Sequence, residues 1–553
     1  MTAWRLLKSG DFRTLLLRTF KFLIQPSIKG PPVNYINWRK KWVELNADER
    51  IVIEELLENF SNRPSFTLFL SADKKDPDVL FQAIKNICSQ IYPDWVLYVI
   101  CEKPLDHNFT EKVAGLCDSR IVLKDSSPFK LGDWVVELAP DVLLHETALF
   151  SYAVSVTENP EIQIVYCDHD HMNLLGDFCD PYMKPSWNPD LFAAMNYLGP
   201  LVACKKELWE IHKEANDQHD FLFALTESLS QVSICHVPHV LASVQITEND
   251  SHLDPLCKRI IYDLPSPDPM VSILIPSRDQ GRMLKRCLES LIRETSYSNF
   301  EVILVDHETS EPKALKVIEE FKSKDNFQVV DFSGSFNFAA IMNRAAEVAN
   351  GQVLVLLNND TEIVDSEWLT ELVAQVSRPD VGVVGSLLLF GDGTIQHAGV
   401  HPGVGGLMGH GHKHLPGDDS GYFNRLKAVH EVAAVTGACL AVEKSIWGEL
   451  GGLDELNLPV AYNDIDLCLK ARKNGLKVVF TPFSKVVHHE SVSRGVDDDP
   501  SRNVRLKKEV SFMIEKWGYV LESDPAYNPN LSLAGDTFKL AEIPRVLPFW
   551  KND

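Results

Sequence analysis

The sequence predicts an α/β protein of two tandem domains of one kind, each built on a parallel sheet, behind an N-terminal helical segment. Three observations carry this. A strand–helix–strand pattern occurs twice. Short apolar runs rich in Val, Leu and Ile end abruptly in amides or carboxylates, as strands buried on both faces do. A proline-rich break separates the two copies.

The first copy opens with a strand in the segment Phe66–Asp73, continues as a helix through Ile84 and Ile87, and returns as a strand in Tyr92–Cys101. About 205 residues further on, the strand Val271–Ile275, a helix through Leu288 and Leu291, and a strand in Tyr297–Asp306 repeat it. Each is a βαβ unit, which implies parallel strands joined by a helix. Between the copies lies Asp263-Leu264-Pro265-Ser266-Pro267-Asp268-Pro269. Three prolines in five residues cannot continue a helix or an interior strand. The expected domains are therefore 61–264 and 268–522, flanked by a helical segment, 1–60, and a C-terminal tail, 523–553. The tail has several prolines and little periodicity, so it is expected to wrap the surface or form short segments.

The 553 residues suffice for two domains, and 45% hydrophobic with 24% charged residues is a globular composition. The formal charge of -23 argues against a nucleic-acid partner, which would need a basic footprint. It leaves room for an anionic small substrate held by a metal ion and local arginines. Eleven scattered cysteines without a CxxC pair fit reduced thiols and a cytoplasmic location. No stretch approaches the ~18–20 apolar residues of a membrane span, and no secretory signal stands at Met1–Lys8. Residues 1–42 carry nine basic side chains against the single acid Asp11, with Trp4, Leu7, Phe12, Leu15, Leu16 and Phe20 at broadly helical spacing. Such a helix suits peripheral contact with an anionic membrane, here the inner face of the cytoplasmic membrane, and equally suits packing on its own domain.

Candidate chemistry gathers in the second copy. Val353–Leu357 is an unbroken apolar run that stops at Asn358-Asn359-Asp360. Ligands of open α/β sheets bind beyond the carboxyl ends of such strands. Asp360 stands where an oxygen-loving cation and a diphosphate could meet; an ordinary polar turn reads the same way. Asp279 and Asp306 end neighbouring strands, placed to hydrogen-bond a nucleotide, and no glycine-rich phosphate loop accompanies them. Asn463-Asp464-Ile465-Asp466 opens a helix whose apolar stripe is Ile465, Cys468 and Leu469, with Gly475 at its end. The helix dipole would keep an acid there ionised; simple capping also places Asn and Asp at such positions. Val486-Val487 runs into His488-His489, followed by Arg494. A neutral His can ligate a divalent ion, and Arg494 can pair with a phosphate. Gly409-His410-Gly411-His412-Lys413-His414 reads as a mobile substrate-covering loop rather than a zinc site.

Taken in order, Ile275–Asp279, Leu304–Asp306, Leu357–Thr361, Asp392–Gly399, Val435–Leu440, Gly451–Glu455, Tyr462–Leu469 and His488–Ser491 resemble glycosyltransferase family 2. The likeness runs from about Met270 to Tyr519 and is closest to two-domain, rhamnosyltransferase-like enzymes of bacterial surface-polysaccharide assembly. It implies two tandem GT-A (Rossmann-like) domains, inverting transfer, and Mg²⁺ or Mn²⁺. The implied partners are a nucleotide-sugar donor and a glycan or lipid-linked acceptor. By this likeness Pro276, Arg278, Asp279, Asp306, Asn343, Asn358 and Asn359 hold the donor nucleotide, Asp360 and His488 the metal, and Asp464 is the catalytic base. Asn463, Asp466, His489, Arg494 and Gly437 then serve phosphate or acceptor. Asn463 replaces the family's Glu, and Asn358-Asn359-Asp360 carries one acid of the family's DxD-type motif.

The first half resembles the same fold with its equipment lost. Gly132–Asp141 stands where the DxD motif would be, Cys101 replaces Asp306, and Asp220 stands near the expected base without its partners. Its expected role is acceptor binding or scaffolding. The competing class is a non-catalytic glycan- or nucleotide-binding scaffold with two decayed domains.

Overall fold

The computed structural model describes residues 33–72, 76–100, 107–124, 129–212, 218–226, 229, 233–246, 255–489, 500–521, 523–535 and 538–551. The expectations for residues 1–32, Cys101 and Arg494 lie outside them. The chain forms two compact units. One comprises Pro31–Leu256 with Tyr527–Leu531 and Lys539–Asp553; the other comprises Cys257–Ala526 with Ser532–Phe538.

The strands of the first unit are β1 (Phe66–Ser71), β2 (Trp95–Ile100), β3 (Ile121–Lys124), β4 (Trp134–Leu138), β5 (Val142–Leu144), β6 (Ile164–Met172), β7 (Phe178–Tyr182), β8 (Val202–Lys205) and β9 (Ile234–Gln245). Those of the second are β10 (Val271–Ser277), β11 (Phe300–Asp306), β12 (Phe327–Asp331), β13 (Val353–Leu357), β14 (Thr361–Ile363), β15 (Val381–Leu389), β16 (Ile395–His397), β17 (Val400–Pro402), β18 (Met408–His410), β19 (His430–Glu431), β20 (Cys439–Glu443) and β21 (Lys477–His488). The sheets run β3-β2-β1-β4-β8-β6-β9-β5 and β12-β11-β10-β13-β20-β15-β21-β14, which is one topology used twice. Both are mixed α/β sheets, which corrects the expectation of purely parallel ones. Four strands at one side are parallel, and β8 and β20 then run antiparallel to β4 and β13.

The registers equate the two units residue by residue. Trp134 faces Phe66 as Val353 faces Val271. Counting along each chain, Asp141 takes the place of Asp360. Val142 lies opposite Val244 as Thr361 lies opposite His488. The N–H of Gln245 donates to the carbonyl of Asp141 at 2.8 Å, as that of His489 does to Asp360 at 2.9 Å. The first unit thus holds an acid at the strand end, with Val244 where the second has His488.

β13 owes its place to its five apolar residues, all buried, with helices on both faces. Burying each such side chain is worth about 1.5–3 kcal/mol. The run ends where Asn358 and Asn359 return the chain to solvent.

The helix Tyr35–Trp42 packs on its own unit through Trp38 and Arg39. The Trp38 indole donates to the Ala541 carbonyl at 2.8 Å, and Arg39 Nε lies 2.8 Å from Asp170 Oδ2. No helix among the described residues is long and apolar enough to cross a membrane. The tail is partly buried: Asn528 and Asn530 are buried, and their side-chain amides donate to Asp168 at 2.9–3.1 Å, whereas Ile543 and Phe549 are exposed. Finally, the Gly/His stretch is no loose loop. β17 and β18 form a hairpin in which His401 and His412 are buried. A Cβ on Gly409 would meet Val404 Cγ1 at 2.5 Å, so the glycine serves close packing. Burial pushes His412 well below the usual imidazole range and His410 down to about 4.

Candidate active site

The strand ends of β10 and β11 come first. Ser277 pairs with Asp306 in register, so the loops that follow lie side by side. Asp279 Oδ1 accepts from the N–H groups of Ser310 and Glu311, each at 2.7 Å. These two donors hold its carboxyl below the ordinary range. Asp306 Oδ1 accepts from the N–H of Thr309 at 3.1 Å, and Thr309 Oγ1 accepts from the N–H of Asp279 at 3.2 Å. Asp279 and Gln280 both have left-handed backbone, φ 53 and 55, a cost that side chains other than glycine bear rarely and often at functional sites. Pro276 lies within β10, and Arg278, exposed, follows its end. Four of the seven residues expected at the nucleotide are therefore gathered at the adjacent carboxyl ends of β10 and β11.

Asn343 is elsewhere. Its side-chain amide donates to the Leu453 carbonyl at 2.9 Å and Glu455 Oε1 at 2.6 Å, and its carbonyl accepts from the N–H of Leu453 at 3.0 Å. Each of its hydrogen-bonding groups is engaged by the 453–455 turn, so it braces that turn.

At the end of β13, Asp360 Oδ1 lies 3.0 Å from His488 Nε2, with both residues buried. Asn358 Nδ2 is 3.3 Å from the same nitrogen, and Asn359 is half-buried in the turn. The ring's other nitrogen, Nδ1, lies 2.7 Å from Gln396 Oε1. Gln396 belongs to the Asp392–Gly399 motif and is buried. A carboxylate oxygen and an imidazole nitrogen facing one another across 3.0 Å are a fit for a cation. Among the described residues no three His, Cys, Asp or Glu side chains cluster so as to hold a metal ion. Asp360 and His488 would hold one only with further oxygens from elsewhere, such as a diphosphate.

His489 is not part of this pair. Successive side chains on a strand point to opposite faces, and His489 Nε2 lies 2.9 Å from Glu362 and 3.2 Å from Arg286. That surface cluster, rather than phosphate or acceptor, is its environment.

The segment just before β20 joins the strand end to the helix Asn463–Lys473. The N–H of Asn358 donates to the Ala438 carbonyl at 3.0 Å, and the N–H of Gly437 donates to Asp464 Oδ2 at 2.7 Å. Asp464 and the turn at Asp360 therefore flank one two-residue stretch of backbone. Asp464 Oδ1 also accepts from the N–H of Ile465 at 2.8 Å. Burial pushes its carboxyl above the ordinary range, against the N–H groups of Gly437 and Ile465 and the Thr436 hydroxyl, which pull it down. An acid so placed can accept a proton from a hydroxyl.

Its neighbours face elsewhere. Asn463 is buried, and its amide donates to the carbonyls of Val460 at 3.0 Å and Leu458 at 3.3 Å. Asp466 is fully buried between Lys516 Nζ at 2.6 Å and the Trp517 indole at 2.8 Å. Residues two apart on a helix lie about 200° apart around it, so Asp464 and Asp466 cannot share a site. The N–H of Gly437 is engaged by Asp464.

Residues 272–413 match the model of glycosyl transferase family 2. Over 545 residues the chain is 32% identical to an uncharacterized protein of Sinorhizobium fredii, covering 88% of this chain and 60% of that one. Over 557 residues it is 30% identical to the O-antigen biosynthesis protein RfbC of Myxococcus xanthus, covering 91% and 43%. Over 257 residues it is 25% identical to an N-acetylglucosaminyl-diphospho-decaprenol L-rhamnosyltransferase of Mycobacterium tuberculosis, covering 43% and 81%. The chain spans about half the length of the first two relatives. The second unit thus carries a glycosyl transferase family 2 domain, whose matched segment spans β10 to the Gly/His hairpin.

Proposed function

We propose that this protein is an inverting, metal-dependent glycosyltransferase. It moves a sugar from a nucleoside-diphosphate donor to a glycan or lipid-linked acceptor in bacterial surface-polysaccharide assembly. The observation that carries this is the facing pair Asp360 and His488, one backbone stretch away from a half-buried Asp464. The names of two relatives, an O-antigen biosynthesis protein and a rhamnosyltransferase acting on a lipid diphosphate, support the pathway and make rhamnose the first sugar to test.

In this reading the loops at Asp279 and Asp306 receive the nucleotide. Asp360 and His488 would hold a Mg²⁺ or Mn²⁺ ion, whose charge would favour departure of the diphosphate. Asp464 accepts the proton of the acceptor hydroxyl as that oxygen attacks the anomeric carbon from the face opposite the leaving group. Its raised pKa suits this work: a weaker acid when protonated is a stronger base when ionised.

The first unit is a degenerate copy serving acceptor binding or scaffolding. Val244 in the place of His488 supports this, because valine offers no metal-ligating nitrogen there. The test of the whole reading is a mass-spectrometric screen of nucleotide sugars, scoring hydrolysis with Mg²⁺ and with Mn²⁺. Consumption of one donor, dependent on the ion and lost in Asp360→Asn, is expected. Failure of the wild-type protein to bind any nucleoside diphosphate with Mn²⁺ by calorimetry would favour the non-catalytic scaffold instead.

A further inference from the structure

We infer that Gln396 is a positioning residue that selects the tautomer of His488 and so creates the ligating nitrogen of the proposed metal pair. This rests on the metal-site reading above and gives a role to the Asp392–Gly399 motif, whose polar residues that reading leaves unused.

The geometry is a two-point clamp. Gln396 is buried on β16. One end of its amide, Oε1, lies 2.7 Å from His488 Nδ1; the other, Nε2, donates to the His488 carbonyl at 3.4 Å. A backbone carbonyl can only accept, so the amide nitrogen must face it and the amide oxygen must face Nδ1. An amide oxygen can only accept in turn, so Nδ1 carries the ring proton. In the neutral ring, Nε2 is then left with a lone pair, directed at Asp360 Oδ1 3.0 Å away. Asn358 Nδ2, a donor at 3.3 Å from Nε2, agrees with this assignment. In the opposite tautomer Nε2 would bear hydrogen and could not ligate. Metal-binding histidines are commonly fixed by such a partner on the far nitrogen, and losing it typically costs 10–100-fold in metal affinity.

The first unit lacks the clamp together with the histidine. His169 on β6 faces Tyr182 as Leu388 on β15 faces His397, so β7 supplies Pro181 and Tyr182 where β16 supplies Gln396 and His397. Val244, in the place of His488, has no ring to orient. Imidazole and clamp are thus both present in one unit and both absent from the other.

The test uses the full chain with Mn²⁺, with UDP and dTDP as parallel probes. Affinity is read by calorimetry, and direct imidazole ligation by the ¹⁴N modulation of the Mn²⁺ electron spin echo. Gln396→Met removes the acceptor at similar length; Mn²⁺ affinity should fall about 10–100-fold and the ¹⁴N signal should weaken, with the thermal midpoint near that of wild type. Gln396→Glu restores an acceptor to Nδ1 and should recover both readouts. If the methionine variant does not fold, Gln396→Asn, one methylene too short to reach, takes its place with the same expectation. Wild-type affinity and modulation in the acceptor-deficient variant would overturn the clamp. His488→Ala separates the two ideas. If it abolishes the ¹⁴N signal while Gln396→Met does not, only the clamp fails. If His488→Ala changes neither readout, or the wild-type protein binds neither probe with Mn²⁺, the metal reading and the clamp fall together.

Discussion

The N–H of Gly437 donates to Asp464 at 2.7 Å, and a Cβ on Gly437 would stand only 3.3 Å from Asp464 Cβ. The absence of a side chain at 437 thus sets how closely the proposed base approaches the backbone beside the strand end. Gly437→Ala should push Asp464 a few tenths of an ångström off line. Since a displacement near 1 Å can cost about 100-fold, a loss of roughly tenfold in kcat is expected, with the donor KM little changed. Steady-state kinetics on both substrates checks this; a rise in donor KM at constant kcat would instead assign Gly437 to ligand binding.

Asp464 also sets a pH dependence. Burial raises its pKa, and the N–H groups of Gly437 and Ile465 offset this only in part. A general base works when ionised, so transfer should fall as pH drops through the raised value. The acid limb of kcat should then lie above the ordinary aspartate value of about 3.9. Asp464→Asn should lower kcat by about 10²–10⁴-fold and leave donor binding intact by calorimetry. An acid limb that persists in residual Asp464→Asn activity would belong to another group.

The flanking residues should respond as structure rather than chemistry. Replacing Asn463 by the family's acid, Asn463→Glu, removes a donor to the Leu458 and Val460 carbonyls and buries a charge beside them. A loss of about 2–3 kcal/mol is expected. Asp466→Asn should cost about 2 kcal/mol by weakening the contacts to Lys516 and Trp517. Urea unfolding measures both. For Asp466→Asn, kcat per folded molecule should stay close to wild type, against the collapse expected at Asp464.

How far the sequence could be read follows from the range of the interactions. Val353–Leu357 announced a buried strand because its pattern is local, and the acid at its end came with it. Separating Asp464 from Asp466, or His488 from His489, needs only the helix and strand periods applied residue by residue; adjacency in sequence obscured it. Asn343 was out of reach, because its partners at 453–455 lie over 100 residues away. The same holds for Asn528 and Asn530, whose partner Asp168 is some 360 residues distant. In the Gly/His hairpin composition misled: glycines that suggest mobility were there for close packing against Val404 and its neighbours.

Asp141 and Asp360 occupy the same place in the two units, and Val244 stands where His488 faces Asp360. One carboxylate is a poor site for a divalent ion, which in proteins draws on several donors. Mn²⁺-dependent binding of a nucleoside diphosphate should therefore saturate at one molecule per chain. Asp360→Asn should abolish it and Asp141→Asn should leave it unchanged. Calorimetric stoichiometry on the wild type and both variants decides the point. Two molecules per chain, with half the binding lost in Asp141→Asn, would make the first unit a second donor site and overturn its reading as a decayed copy.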